Sequence, residues 1–185
     1  MARIRTPERV KPVMAIWMSR CAVPRYGELE EILAETLSPI ESKSDWFLPP
    51  DTAYYRREMA PDLQKRVVSF RNLMSIDQLP DLKIRSNALE DLWREQGRRT
   101  INLDPGYVSA PKFVLASAKD YSHRLYIGSG IFGDLQLSFV QGGFQTLPWT
   151  YPDYRDPAII AFLEQARAAF MQQGGSPHYH LKEED

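Results

Sequence analysis

After Gly97 the apolar period of this chain changes, and the change commits a long stretch of it to one kind of architecture. From Arg99 the pattern shifts to the two-residue period of strands, after a helix whose apolar residues follow the 3.6-residue spacing. Ile101 and Leu103 lie on one side of their segment, with Thr100, Asn102 and Asp104 on the other. Lys112 to Ala118 is mostly apolar. Arg124 to Ile127 and Ile131 to Val140 flank Gly128-Ser129-Gly130, a hairpin signal, and Gln141-Gly142-Gly143 supports another reversal into Phe144 to Leu147. In Ile131–Val140 the alternation assigns Ile131, Leu135, Leu137 and Phe139 to one face and Asp134, Gln136 and Ser138 to the other. Strands joined by such short reversals pair antiparallel.

The segments upstream supply the other layer. Val13 to Met18 is a continuous apolar run and reads as a buried strand. Leu29, Ile32, Leu33 and Leu37 mark one face of a helix that Ser38-Pro39 stops. Ile40 to Leu48 and Lys65 to Leu73 are strand candidates. A second helix, capped by Ser75 or Asp77, buries Leu79, Leu82, Leu89, Leu92 and Trp93 and ends at Gln96-Gly97. Asp156-Pro157 opens a final helix lined by Ile159, Ile160, Leu163, Ala166 and Phe170. The order predicts an α+β fold with a ferredoxin-like βαββαβ core, an antiparallel C-terminal extension and a terminal helix. One domain is expected over residues 1–185, with an ordered core from 12 to 173 and a disordered tail from 174 to 185.

Composition narrows the function classes. The 185 residues carry a net charge of −1, with basic and acidic residues interleaved, so there is no strong nucleic-acid signal and no attraction to an anionic membrane. The apolar run Val13–Met18 is far too short to span a bilayer. A single cysteine, Cys21, excludes an internal disulfide and fits a reducing compartment, so the chain reads as cytoplasmic. No Walker loop, dinucleotide fingerprint, HExxH or nucleophile elbow occurs.

Polar residues with chemical potential concentrate between Ile101 and Arg155. If the period-two strands are neighbours, Asn102, Asp104, Asp134, Gln136, Arg124 and Tyr126 gather on one sheet face. A solvated face alternates in the same way and needs no function. Asp104 stands before Pro105-Gly106, which reads as a turn. In Lys119-Asp120-Tyr121-Ser122-His123-Arg124, His123 is an acid–base candidate and Lys119 and Arg124 are anion contacts, although a loop histidine is also often structural. Asp51, Tyr55 and Glu58 can share a helical face, with a capped surface helix as the alternative. His178 and His180 in the tail supply only two ligands and make no defined metal site.

Several of these words form longer motifs: Asp51-x-x-Tyr54-Tyr55-x-x-Glu58-Met59, Lys83-x-x-Ser86-Asn87-x-Leu89-Glu90, Asn102-Leu103-Asp104-Pro105-Gly106-Tyr107, Lys119-Asp120 with His123-Arg124, and Pro148-Trp149-Thr150-Tyr151-Pro152-Asp153-Tyr154-Arg155. Together they resemble an uncharacterised bacterial and archaeal family, one of the domains of unknown function, from about Pro12 to Phe170. Ser86 stands where threonine is expected, and Asp134 and Gln136 where glutamate and threonine are expected. The resemblance implies a family without implying an activity.

The leading expectation is a site for a phosphorylated or nucleotide-like small molecule, with hydrolase or transferase chemistry. Lys112, Lys119 and Arg124 meet the anionic part, and Tyr107 or Trp149 the planar part, with Asn102 beside them. Asp104 with Asp134 or Glu58 holds a divalent cation such as Mg²⁺, and His123 and Asp104 are the catalytic candidates. The rival is a non-catalytic module whose Pro148–Arg155 segment and sheet face bind a protein partner or form a homodimer. Convergence of Asp104, Lys119, His123 and Arg124 on one pocket requires the chain to fold back after Asp104, and Trp149 is expected to be mostly buried.

Overall fold

The first strand, β1 (Lys11–Ser19), is the spine of the structure, and all of its residues are buried. A run this apolar is stable only with a strand on each edge and a packed layer on each face. Both are present in the computed structural model, which describes residues 6–48, 59 and 62–176. α1 (Tyr26–Thr36), β2 (Ile40–Lys43), β3 (Leu63–Phe70) and α2 (Leu79–Leu92) follow, then the short hairpin β4 (Arg94–Glu95) and β5 (Arg98–Arg99). β6 (Ile101–Val108), β7 (Lys112–Ser117), β8 (Arg124–Gly128), β9 (Ile131–Val140), β10 (Gly143–Thr146) and α3 (Pro157–Gln172) complete the described chain.

Eight strands form one antiparallel sheet in the order β10-β9-β7-β6-β1-β3-β2, with β8 also paired to β9. β8 takes the first half of β9 and β10 the second. The fold is therefore a mixed α/β architecture with a large antiparallel sheet and three helices. Even-numbered Met14, Ile16 and Met18 pack with Leu29 and Leu33 of α1 and Leu79 and Leu82 of α2. Odd-numbered Val13 and Ala15 pack with Ile159, Phe162 and Leu163 of α3. The two-residue period of β1 thus assigns α1 and α2 to one face and α3 to the other. No helix among the described residues is long and apolar enough to cross a membrane.

Four sequence expectations are corrected by pairing. β2 stops at Lys43, and beyond it only Phe47 bridges to Lys65. Gln96-Gly97 does not end α2. It turns the β4–β5 hairpin, with φ of 50° and 79°, the positive pair that a two-residue reversal requires. Asp104-Pro105-Gly106 is not a turn, because β6 runs straight through it against β1. The alternation in β9 also breaks: Phe113 pairs Leu137 while Val114 pairs Leu135, which leaves Gln136 as the extra residue of a β-bulge. Leu135 consequently packs toward α2 and Leu137 toward α3. The candidate helical face of Asp51, Tyr55 and Glu58, and the tail with His178 and His180, lie outside the described residues.

Candidate functional site

A cleft opens where β6 and β7 part. Their ladder covers only Gly106↔Leu115, Tyr107↔Val114 and Val108↔Phe113. At its last pair the strands are so close that a Cβ on Gly106 would lie 2.3 Å from the Val114 carbonyl oxygen. Beyond it the strands diverge, and the backbone of β6 finds other partners. The Leu103 N–H donates to Glu90 Oε1 at 2.7 Å and the Leu103 carbonyl accepts from Lys83 Nζ at 2.8 Å. Two side chains of α2 thereby take the place of a strand. They can do so because Lys83, Asn87 and Glu90 sit four and three residues apart on one helix face.

The cleft is about 620 Å³ in volume, within the ordinary range for small-molecule sites. Trp17, Lys65, Asn102 and Asp104 line it from the α3 side of the sheet, and Lys83, Asn87 and Glu90 reach it from α2 through the gap between the strands. Its β6 wall carries Asn102 and Asp104, whose register partners on β1 are Trp17 and Ala15. Asp104 accepts from Lys83 at 3.1 Å through Oδ1 and from Asn102 Nδ2 at 2.9 Å through Oδ2. Arg99 pairs with Glu90. Burial raises the Glu90 carboxyl above its usual range, partly offset by Lys83 and the Leu103 N–H.

The opposite wall is held by a buried pair. Arg124 of β8 stands across from Asp134 of β9 in register, and Arg124 Nε donates to Asp134 Oδ2 at 2.8 Å, both side chains 1% exposed. The remaining guanidinium nitrogens donate to Ser117 Oγ, the Lys119 carbonyl and the Tyr151 hydroxyl. Asp134 Oδ1 accepts from Gln136 Nε2 at 2.7 Å and faces His123 Nε2 at 3.5 Å. The bulge turns Gln136 toward the Trp149–Tyr151 segment, where its Oε1 accepts the Tyr151 N–H and its carbonyl accepts the Thr150 hydroxyl. Burial and the Asp134 and Asp104 charges push the Tyr151 hydroxyl up to about 12, with Arg124 acting the other way. On the floor, Lys65 pairs with Asp153, donates to the Tyr154 hydroxyl at 3.1 Å and lies over the Trp17 and Tyr154 rings.

Asn102, Asp104, Lys119 and Asp134 line this cleft, and His123 and Arg124 stand behind Asp134. The route differs from the fold-back that the sequence suggested. Because β6 continues past Asp104, the next hairpin simply returns β7 alongside it. Asp104 on β6 and Ser117 to Lys119 at the end of β7 then both border the cleft that opens where the ladder stops. The polar face is also buried rather than solvated, with Asn102 7%, Asp134 1% and Gln136 0% exposed.

Lys112 and Tyr107 are not in the cleft. Lys112 begins β7, five residues from Ser117 and about 17 Å away at strand rise. Tyr107 is packed in the core between the sheet and α1 and α2. Trp149 is 37% exposed instead of mostly buried: its ring stacks on His123 with centroids 5.2 Å apart while Nε1 donates to the Leu135 carbonyl at 2.7 Å. Asp104 and Asp134 already accept from Lys83, Asn102, Arg124 and Gln136. Among the described residues no three His, Cys, Asp or Glu side chains gather as a cation site, and Glu58 lies outside those residues.

The profile of a family described as Domain of unknown function (DUF4416) matches residues 8–170. The chain belongs to that family. No curated protein and no solved structure matched the chain. The DUF4416 match runs from just before β1 to the last turns of α3, so every residue of the cleft falls inside it.

Sequence reasoning about this DUF4416 chain missed Lys65, Lys83, Glu90, Arg99, Tyr121 and Tyr151 as cleft residues. Three had a readable signal. Lys65 occupies the same strand side as Leu63 and Val67, a lysine in a buried row. Lys83, Asn87 and Glu90 form a polar stripe at helical spacing on a helix otherwise assigned by its apolar stripe. Arg99 had none, while Tyr121 and Tyr151 lay in the Lys119–Arg124 and Pro148–Arg155 segments without being assigned to the site.

Proposed function

We propose that the protein binds a small phosphorylated or nucleotide-like molecule in the cleft between β6 and β7. The supporting observation is the cleft itself: Lys65, Lys83, Arg99 and Lys119 bring cations to its walls beside the carboxylates of Asp153, Asp104 and Glu90, and Tyr121 and Tyr151 border it with flat rings. Cations near a partly buried anion are worth more than at the surface, and the ring faces suit a planar group. On this reading His123, held against Asp134 and stacked between Tyr121 and Trp149, is the acid–base group for hydrolase or transferase chemistry, and Asp104 is its counterpart across the cleft. Arg124, with every nitrogen engaged, positions the wall rather than the ligand.

A thermal-shift screen of nucleotides, sugar phosphates and inorganic phosphate, each with and without Mg²⁺, tests the reading. A ligand at about 100 times its dissociation constant stabilises the fold by roughly 2.7 kcal/mol, and Lys119→Ala should reduce that gain. A melt that no member of the screen moves removes the reading. In fold terms, we read β6-β1-β3-β2 with α1 and α2 on one face as a ferredoxin-like core extended by β7 to β10, an assignment supported by the strand order.

A second reading has its own observation. Among the described residues β8 pairs only with β9, and its Leu125, Tyr126 and Ile127 are 76%, 64% and 39% exposed. Together with half-exposed Trp149 and Tyr151 this edge suits a protein partner or a second copy. Light scattering across a concentration series tests the homodimer. A mass of one chain throughout excludes it.

A further inference from the structure

We infer that the ligand carries two neighbouring hydroxyls on a sugar ring, as in a ribonucleotide or a sugar phosphate. Asp104 accepts those hydroxyls from the β6 wall, and the phosphate lies across the cleft at Lys119. The inference rests on the phosphorylated-ligand reading above and deepens it. Its basis is the difference in charge between the two walls.

The β6 wall is charge-balanced. Lys83 pairs with Asp104 and Arg99 with Glu90, each cation matched by a carboxylate of the same wall. Asp91, farther along α2, pairs with Arg94. A phosphate brought here meets the carboxylates and an ammonium meets the cations, so the wall favours a neutral polar group. Asp104 is the carboxylate such a group reaches, its side chain 24% exposed against 2% for Glu90. Among the described residues its oxygens hold one donor each, Lys83 on Oδ1 and Asn102 on Oδ2. A carboxylate oxygen accepts about two hydrogen bonds, so each retains one acceptor site. Two acceptors side by side match hydroxyls on neighbouring carbons, just as a carboxylate takes the ribose hydroxyl in dinucleotide-binding folds.

The opposite wall is of another kind. Lys119, Tyr121 and Tyr151 gather around the Arg124 guanidinium: the Lys119 carbonyl and Tyr151 hydroxyl accept from it, and the Tyr121 ring lies 4.4 Å away. Arg124 balances Asp134, and Lys119 is an exposed cation on the cleft border. A phosphate therefore belongs at this wall and the hydroxyls at the other. A sugar phosphate presents both chemistries a few bonds apart. Removing one hydroxyl leaves Asp104 with Lys83 and Asn102, so the loss is one charge-assisted hydrogen bond and not a stranded carboxylate.

Isothermal titration of the full chain with AMP, CMP and ribose 5-phosphate, each beside its 2-deoxy sugar counterpart, tests this. In every pair that binds, the ribose member should bind about tenfold more tightly, the worth of one such hydrogen bond. Asp104→Ala should bring that ratio toward unity, while Lys119→Ala should weaken both members alike and leave the ratio near ten. A preference shown by ribose 5-phosphate itself supports the diol on a free sugar phosphate, and one confined to AMP and CMP supports it on a nucleotide. Equal binding within every pair overturns the inference and leaves the phosphorylated-ligand reading standing. A ribose preference that Asp104→Ala leaves unchanged, or that Lys119→Ala abolishes, also overturns it, because another group would then be reading the hydroxyl. Absence of binding by all six compounds removes the reading and the inference together. The wild-type ratio needs no variant and can overturn the inference even where Asp104→Ala fails to fold.

Discussion

The β6–β7 pair has two ends built by different means. From Gly106 to Val108 the strands are joined by backbone hydrogen bonds, with Val108, Phe113 and Leu115 packed beneath α3. From Ile101 to Pro105 the same strand faces a cleft, and the side chains of Lys83 and Glu90 serve its backbone instead. The closed end tolerates no added atom, as the 2.3 Å approach at Gly106 indicates. The walls of the open end are held by charges instead: Lys83 with Asp104 and Arg99 with Glu90 on the β6 side, and Arg124 with Asp134 on the other. Apolar packing closes around any gap its shape allows, whereas buried charges need partners and so keep each wall in one arrangement. A cleft between adjacent strands therefore depends on ion pairs at its walls.

The comparison breaks most visibly at Arg124. Arg124→Leu strands Asp134 in a buried position and should cost about 3–5 kcal/mol in chemical denaturation. A loss below about 1 kcal/mol, the level of an exposed pair, would mean that the open end is not held by this clamp. At the closed end Gly106→Ala forces β7 away from β6 and should cost about 1–3 kcal/mol, the range for overpacking. Unchanged stability there would show that the two strands separate freely and that the contrast between the ends is unfounded.

Trp149→Ala tests the packing behind the Asp134 wall. A ring 37% exposed, with one stacking contact and one hydrogen bond, should be worth about 1–2 kcal/mol, well short of the roughly 3–5 kcal/mol of a buried aromatic. A loss in the larger range would indicate that Trp149 belongs to the core.

Glu90→Gln sharpens the comparison through pH. The folded protein raises the Glu90 pKa above its ordinary 4.5, so the protonated carboxyl is the favoured form in the fold. Its contribution is full below the unfolded value and declines as pH rises from there through the folded value. Wild type should exceed Glu90→Gln by about 1 kcal/mol near the acid end of that window, and the gap should narrow as pH increases. A gap that widens with pH would show that Arg99 and Lys83 outweigh burial at this carboxyl.

Which faces of β1 and the helices are buried was legible in one dimension. Val13–Met18, the stripes of α1, α2 and α3, and the Gly128–Gly130 and Gln141–Gly143 reversals follow from periods of two and 3.6 and from turn chemistry, with the exception of Leu92, expected in the α2 stripe but 79% exposed at the last residue of the helix. Asp104, Asn102, Lys119 and Asp134 were legible as site candidates for the same reason, being polar at strand positions or beside turns. The tertiary structure alone decided that Pro105 lies within a strand, because proline is acceptable where its missing N–H faces an unpaired edge, and edges are known only once strands are ordered. It likewise decided that Gln136 is a bulge residue and that Lys83, Glu90, Lys65 and Tyr151 meet the strand candidates, since residues from α2, β3 and the segment after β10 become neighbours only through packing. Local chemistry specifies the elements; which polar groups must satisfy one another is set by what the elements bury together.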